Sequence, residues 1–232
     1  MRERLFSVVR PTARRASVAI DLVPVTPMRG GLATLLVPSM DPRAREPWIL
    51  PWDAPRDVET LDDGAARVCR AALGGRSVPL EQVGAFGDGQ RHPGEAEISI
   101  TFAALVPLGG ASVALEIEAR WFDVDALPAL APRQQRIVAA ALESLRARLD
   151  LASVAFRLLP PAFTLTELQA VYELLVGRAL HKASFRRTLQ AAGVVEPLAE
   201  WRSDGRGRPA QLFRRAPVDD RAIRRGVRFE LL

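Results

Sequence analysis

The chain has 232 residues, enough for one or two domains with cores of their own, and its 48% apolar content with a mean hydropathy of +0.04 fits a globular protein. No apolar run approaches the roughly 18 residues of a membrane span, which excludes a spanning helix. Cys69 is the only cysteine, which excludes an intramolecular disulfide and fits a reducing, cytoplasmic setting. The net charge of +5 is unevenly placed: residues 1–17 sum to +4, residues 18–156 to −5 and residues 157–232 to +6. Such asymmetry points to a nucleic-acid-facing end. Lys182 is the only lysine among 32 basic residues, a codon-bias pattern, so arginine abundance by itself carries no weight.

In chain order, residues 1–17 read as a basic flexible leader able to touch DNA phosphates. Their apolar stretch is too short for a secretory signal. Residues 18–25 and 32–37 are predicted strands around a turn at Met28-Arg29-Gly30-Gly31. Residues 60–73 are predicted as a helix, with Leu61, Ala65, Val68, Cys69 and Ala72 near one apolar stripe and Cys69 in the core. Residues 98–106 and 113–117 flank Gly109-Gly110, a dipeptide suited to a tight hairpin. A second helix is predicted over residues 134–149, with Ile137, Val138, Ala141, Leu145 and Leu149 at helical spacing. The expected fold is α/β, a mixed sheet between two helices.

Pro160-Pro161 breaks the pattern, because paired prolines disfavour helix on their N-terminal side. A helix over residues 167–177 follows, capped by Thr164 or Thr166 and ended by Gly177. A second helix over residues 182–192 closes at Gly193, and residues 194–201 and 210–214 read as two strands. Helix, turn, helix and hairpin is the order of a winged helix-turn-helix. Three regions are expected: the leader, a domain over residues 18–155, and a winged helix with its tail over residues 156–232.

The second of these helices presents Lys182, Ser184, Arg186, Arg187 and Gln190 around the inward anchors Phe185 and Leu189. Polar side chains near the start of a recognition helix meet base edges, while arginine and lysine neutralise phosphates. Arg206 and Arg208 stand on the glycine-loosened tip of the hairpin, where arginine can enter a narrow minor groove or clamp adjacent phosphates. His92 lies in Arg91-His92-Pro93, read as a loop with satisfied side chains rather than as a catalytic base. No second histidine or cysteine stands near enough in sequence to suggest a metal site.

Residues 53–75 read D-x5-E-x7-R-V-C-R-A-A-L-G-G and resemble the Nudix box, G-x5-E-x7-R-E-U-x-E-E-x-G-U, where U is apolar. Glu59, Arg67 and Gly74 fall at the box spacing, whereas the glutamates of its core are replaced by Val68, Ala71 and Ala72. Those glutamates hold magnesium beside a diphosphate, and valine and alanine offer no oxygen ligand. Trp48-Ile49-Leu50-Pro51 is similar to the segment preceding the box, residues 82–93 to the loop of ADP-ribose-type Nudix proteins, and residues 118–128 to the last strand and its turn into the closing helix. The resemblance implies the α/β/α Nudix sandwich without its catalytic residues or metal.

Residues 163–173, Lys182-Ala183-Ser184-Phe185-Arg186-Arg187 and Gly207-Arg208-Pro209-Ala210 resemble the C-terminal module of the Nudix-related transcriptional regulators of NAD metabolism. That resemblance implies a repressor that binds a palindromic operator in double-stranded DNA as a homodimer and needs no cofactor. Its effector would be ADP-ribose or a related nucleotide, sensed by a Nudix domain that does not hydrolyse it. It places the DNA contacts on Lys182, Ser184, Arg186, Arg187, Arg206 and Arg208, to which the helix face adds Gln190; the candidate ligand contacts are Trp52, Glu59, Arg67 and Arg91. The chain departs from the family at Trp52-Asp53, where two glycines are usual, and at Arg133-Gln134, where many relatives carry an Asp-His pair. Trp52 is open to two readings, a platform for a base or a core or lid residue. The alternative function is a Nudix hydrolase with an accessory C-terminal domain, its metal relocated to Glu59, Asp53, Asp62 or Asp63.

Overall fold

The computed structural model describes residues 16–28, 30–112, 118–148, 153–203 and 209–217. Most of the leader, the strand expected over residues 113–117, and Arg206 and Arg208 of the wing lie outside these. Two long apolar runs, β1 (Val18–Met28) and β2 (Gly31–Pro38), form an antiparallel pair about the turn at Gly30, whose φ of 95° suits a residue without a Cβ. β1 also runs parallel to β6 (Ile98–Leu105), from Val18 against Ile98 to Val25 against Leu105. β5 (Leu80–Phe86) lies antiparallel on the far side of β6, with a bulge between Gln82 and Gly84. β3 (Trp48–Ile49) and β7 (Arg120–Asp123) pair with β2, and β4 (Trp52–Asp53) pairs with β1. The sheet is therefore mixed, as expected.

β1 is buried along nearly its whole length, and its side chains alternate between two helices because successive strand residues point to opposite faces. Ile20 and Leu22, with Phe102 and Ala104, meet Ala65, Val68, Cys69 and Ala72 of α1 (Leu61–Ala72). Val23 and Val25, with Ala103 and Leu105, meet Ile137, Val138 and Ala141 of α2 (Pro132–Ala147). Helix–sheet–helix layering follows directly. Thr60 caps α1 by accepting the Asp63 amide at 3.1 Å. Gly64 lets α1 approach β1: a Cβ there would stand 2.4 Å from Ile20 Cδ1. After Gly109 the chain takes a 3-10 turn over Gly110–Ser112, and the described partners of β6 are β1 and β5.

The second half starts with the short α3 (Ser153–Arg157), then β8 (Phe163–Thr164), α4 (Leu165–Val176) and α5 (Lys182–Ala192). Thr164, rather than Thr166, caps α4. Its hydroxyl accepts the Glu167 amide at 3.1 Å, and Glu167 Oε2 accepts the Thr164 amide at 2.7 Å, a reciprocal capping box. Gly177 and Gly193 end the two helices in the left-handed conformation. β9 (Val195–Arg202) and β10 (Ala210–Arg215) form the hairpin, and the small sheet runs β8-β10-β9. This is a winged helix, and it is not insulated from the first half. Ile137 and Leu145 of α2 belong to one apolar cluster with Phe156, Leu168, Tyr172 and Phe185. Glu81 on β5 accepts from Arg148 at 2.7 Å and also from Arg157 of α3, and the Leu108 amide donates to Leu158 O at 2.8 Å.

Candidate effector cleft and nucleic-acid interface

A cleft of about 780 Å³ opens beside the face of α1 that the box positions occupy. Val68, Ala71 and Ala72 form part of its wall, which is apolar there. Among the described residues no group of histidine, cysteine or acidic side chains is placed to hold a metal ion. Trp52, Pro51, Ile49 and Val37 extend the wall, and Asp41, Asp53 and Glu118 reach it with Arg67.

Arg67 uses four of its five N–H donors inside the protein. It donates to Glu59 through Nε at 3.1 Å and Nη2 at 2.6 Å, to Ala54 O at 3.0 Å, and to Asp53. The retained pair Glu59 and Arg67 thus ties the loop before α1 to the helix. Accepting from Arg67, and then from the Arg56 amide at 2.7 Å, holds the Glu59 carboxyl at about 2, below its usual 4.5. Glu59 stands behind the cleft wall, whereas Trp52 and Arg67 line it. Arg91 lies elsewhere: it pairs with Glu46 and lines a separate pocket of about 400 Å³ with Arg133.

Trp52 is fixed against the loop that carries His92. Their rings meet edge to face at 5.0 Å, and a Cβ on Gly94 would stand 2.0 Å from the indole, so only glycine fits there. His92 is buried. Its Nδ1 accepts the Gly94 amide at 3.0 Å, which leaves Nε2 to donate to Asp21 Oδ1 at 3.1 Å. Gln134, at the start of α2, donates to the same oxygen at 3.1 Å and accepts the Leu50 amide at 3.0 Å. Arg133 beside it is buried, bonded to Asp88 at 3.3 Å and to Ala96 O. The departure at Arg133-Gln134 is therefore structural: both side chains pin α2 beneath the loop containing His92. The sequence reading passed over Asp21. A carboxylate inside a largely apolar strand was the available signal, since such a group needs partners.

On α5, Phe185 and Leu189 are buried, while Lys182, Arg186, Arg187 and Gln190 are exposed. Ser184 is half-buried, its hydroxyl 3.4 Å from His181 Nδ1. No described carboxylate pairs with Lys182, Arg186 or Arg187, so this face keeps its positive charge. Arg202, by contrast, is spent inside the module, on Glu167 at 2.6 Å and Ala162 O at 3.1 Å.

A Nudix-like sandwich with Val68, Ala71 and Ala72 on the cleft side of α1, packed against a winged helix whose recognition-helix face is basic, defines a Nudix-fused winged-helix regulator. The family model of the NrtR DNA-binding winged helix domain matches residues 155–215. The ADPR responsive transcriptional repressor NtrR of Acinetobacter baylyi is 30% identical over 209 residues, spanning 87% of this chain and 83% of that protein. Shewanella oneidensis NrtR, crystallised with a 27mer DNA, superposes with a TM-score of 0.72 at 26% identity, over 86% of this chain and 94% of that one. A MutT/nudix family protein of Enterococcus faecalis shares the fold, with a TM-score of 0.70 at 17% identity over 88% of this chain and 89% of that one. The chain belongs to the NrtR family of transcriptional regulators.

Proposed function

We propose that the protein is a sequence-specific transcriptional repressor of NAD or related nucleotide metabolism. It acts in the cytoplasm and binds a palindromic operator as a homodimer. Residues 156–217 read the DNA: Lys182, Ser184, Arg186, Arg187 and Gln190 enter the major groove, and Arg206 and Arg208 contact the adjacent backbone or minor groove. Residues 18–155 sense a small effector in the cleft beside Trp52 and Arg67. ADP-ribose is the first compound to try, since the Acinetobacter relative is described as responsive to it. The protein does not hydrolyse the effector, because Val68, Ala71 and Ala72 cannot ligate magnesium.

The observation that carries this reading is the α5 surface, whose lysine and two arginines stand exposed together with no described carboxylate partner, whereas Arg67 at the cleft, Arg148 and Arg157 at the domain junction and Arg202 in the hairpin each have one. A partner bearing negative charge completes it. Genomic fragments retained by the purified protein, sequenced and then assayed by gel shift, test the proposal. Enrichment of an inverted repeat, lost in the double variant R186A/R187A with unchanged thermal stability, is the expected result. Each lost base contact should cost about 1–3 kcal/mol, and each lost phosphate contact should lower the salt slope by about one unit. Normal binding by the double variant would place the recognition surface elsewhere.

A further inference from the structure

Proteins hold a diphosphate with free arginines, with the amides of a helix N-terminus or with a divalent cation. Along the described wall of the cleft, none of these is available. Arg67 is the only cation there, and Glu59, Asp53 and Ala54 O already occupy its guanidinium. Asp41, Asp53 and Glu118 bring three carboxylates to the same wall, so its formal charge is −2. The first turn of α1 carries its own anions, Asp62 and Asp63, with Thr60 already accepting the Asp63 amide. Box positions 68, 71 and 72 supply no oxygen for a metal. What the wall does offer is apolar surface from Ile49, Trp52, Val68, Ala71 and Pro93, around a volume in the range of small-molecule sites.

We infer that the cleft takes its effector by a neutral ring system, a nucleoside or comparable heteroaromatic, and reads no diphosphate, either directly or through a metal ion. The inference rests on the cleft being the effector site. For a ligand of the ADP-ribose kind, base and ribose supply the affinity and the diphosphate stays in water, where the carboxylates repel it least. Apolar walls exclude water from a ring but give no compensation for a stripped phosphate.

Calorimetry on the full chain, with adenosine and ADP-ribose in turn, each in magnesium and in EDTA, tests this. Adenosine should bind within about threefold of ADP-ribose, with magnesium changing neither constant. Raising ionic strength should tighten ADP-ribose, because screening relieves repulsion between like charges, and should leave adenosine unmoved. The variant A71R puts a free cation on an exposed wall position and should tighten ADP-ribose selectively. ADP-ribose more than about tenfold tighter than adenosine, a gain of affinity with magnesium, an A71R effect equal on both compounds, or no binding of either compound would each overturn the inference. Failure of the regulator reading shows separately, as absence of operator binding in the gel-shift assay without any ligand.

Discussion

At the scale of single residues, the box remnant is a structural clamp. Glu59 and Arg67 stand at the family spacing and bond each other, and the loop before α1 is held to the helix as a result. This pairing has a pH signature. The folded-state carboxyl of Glu59 lies at about 2, below the 4.5 of an unpaired glutamate, so its contribution is present above pH 4.5 and is lost as pH falls through about 2. Replacing Glu59 by Gln removes the titrating group. Acid unfolding followed by circular dichroism should then be flatter between those two values than in the wild type, and parallel curves would show that the pair does not couple to folding. Cys69 is the opposite case: burial pushes its thiol up, and it packs under β1 as an apolar residue.

At the scale of elements, stability in the reading half depends on a cap. Thr164 and Glu167 satisfy each other's amides at the start of α4, and Arg202 holds Glu167 from the hairpin. Thr164→Ala should cost about 1 kcal/mol by chemical denaturation. A loss well below that would mean that Glu167 and Arg202 hold the helix start without the hydroxyl. Local chemistry of this kind was legible in the sequence. The boundaries of α5 coincide with expectation, and those of α1, α2 and α4 fall within two residues, because apolar spacing, threonine caps and terminal glycines act over a few residues. The cluster beneath Trp52 was not legible. Asp21, His92 and Gln134 are separated by 71 and 113 residues along the chain, and only the parallel pairing of β1 with β6 and the docking of α2 bring them together. Arg91 shows the same limit: it shares a pocket with its neighbour His92 and with Arg133, apart from the cleft that Trp52 and Arg67 line.

At the scale of the molecule, one winged helix covers too little DNA for strong selectivity, whereas two related by a twofold axis read half-sites whole turns apart. Inserting five base pairs between half-sites would turn one to the opposite side of the duplex, and affinity should fall to the non-specific level. Undiminished binding in the gel-shift assay would remove the twofold arrangement. Alone, the basic faces of α5 repel, so the sensing halves are expected to hold the pair together. The continuous apolar cluster from α2 through α3 into α4 and α5 has another consequence. The DNA-reading half is not a portable module. Cut free at the Pro160-Pro161 break, it would present to water the side chains that now rest on Phe156, Ile137 and Leu145, and grafted onto a foreign sensor it would lack its bed. A fragment starting at residue 160 should melt without a cooperative transition, while the intact chain should melt in one. Two separate transitions in the intact chain, or a sharp one in the fragment, would mean that the halves can be traded between proteins like interchangeable parts.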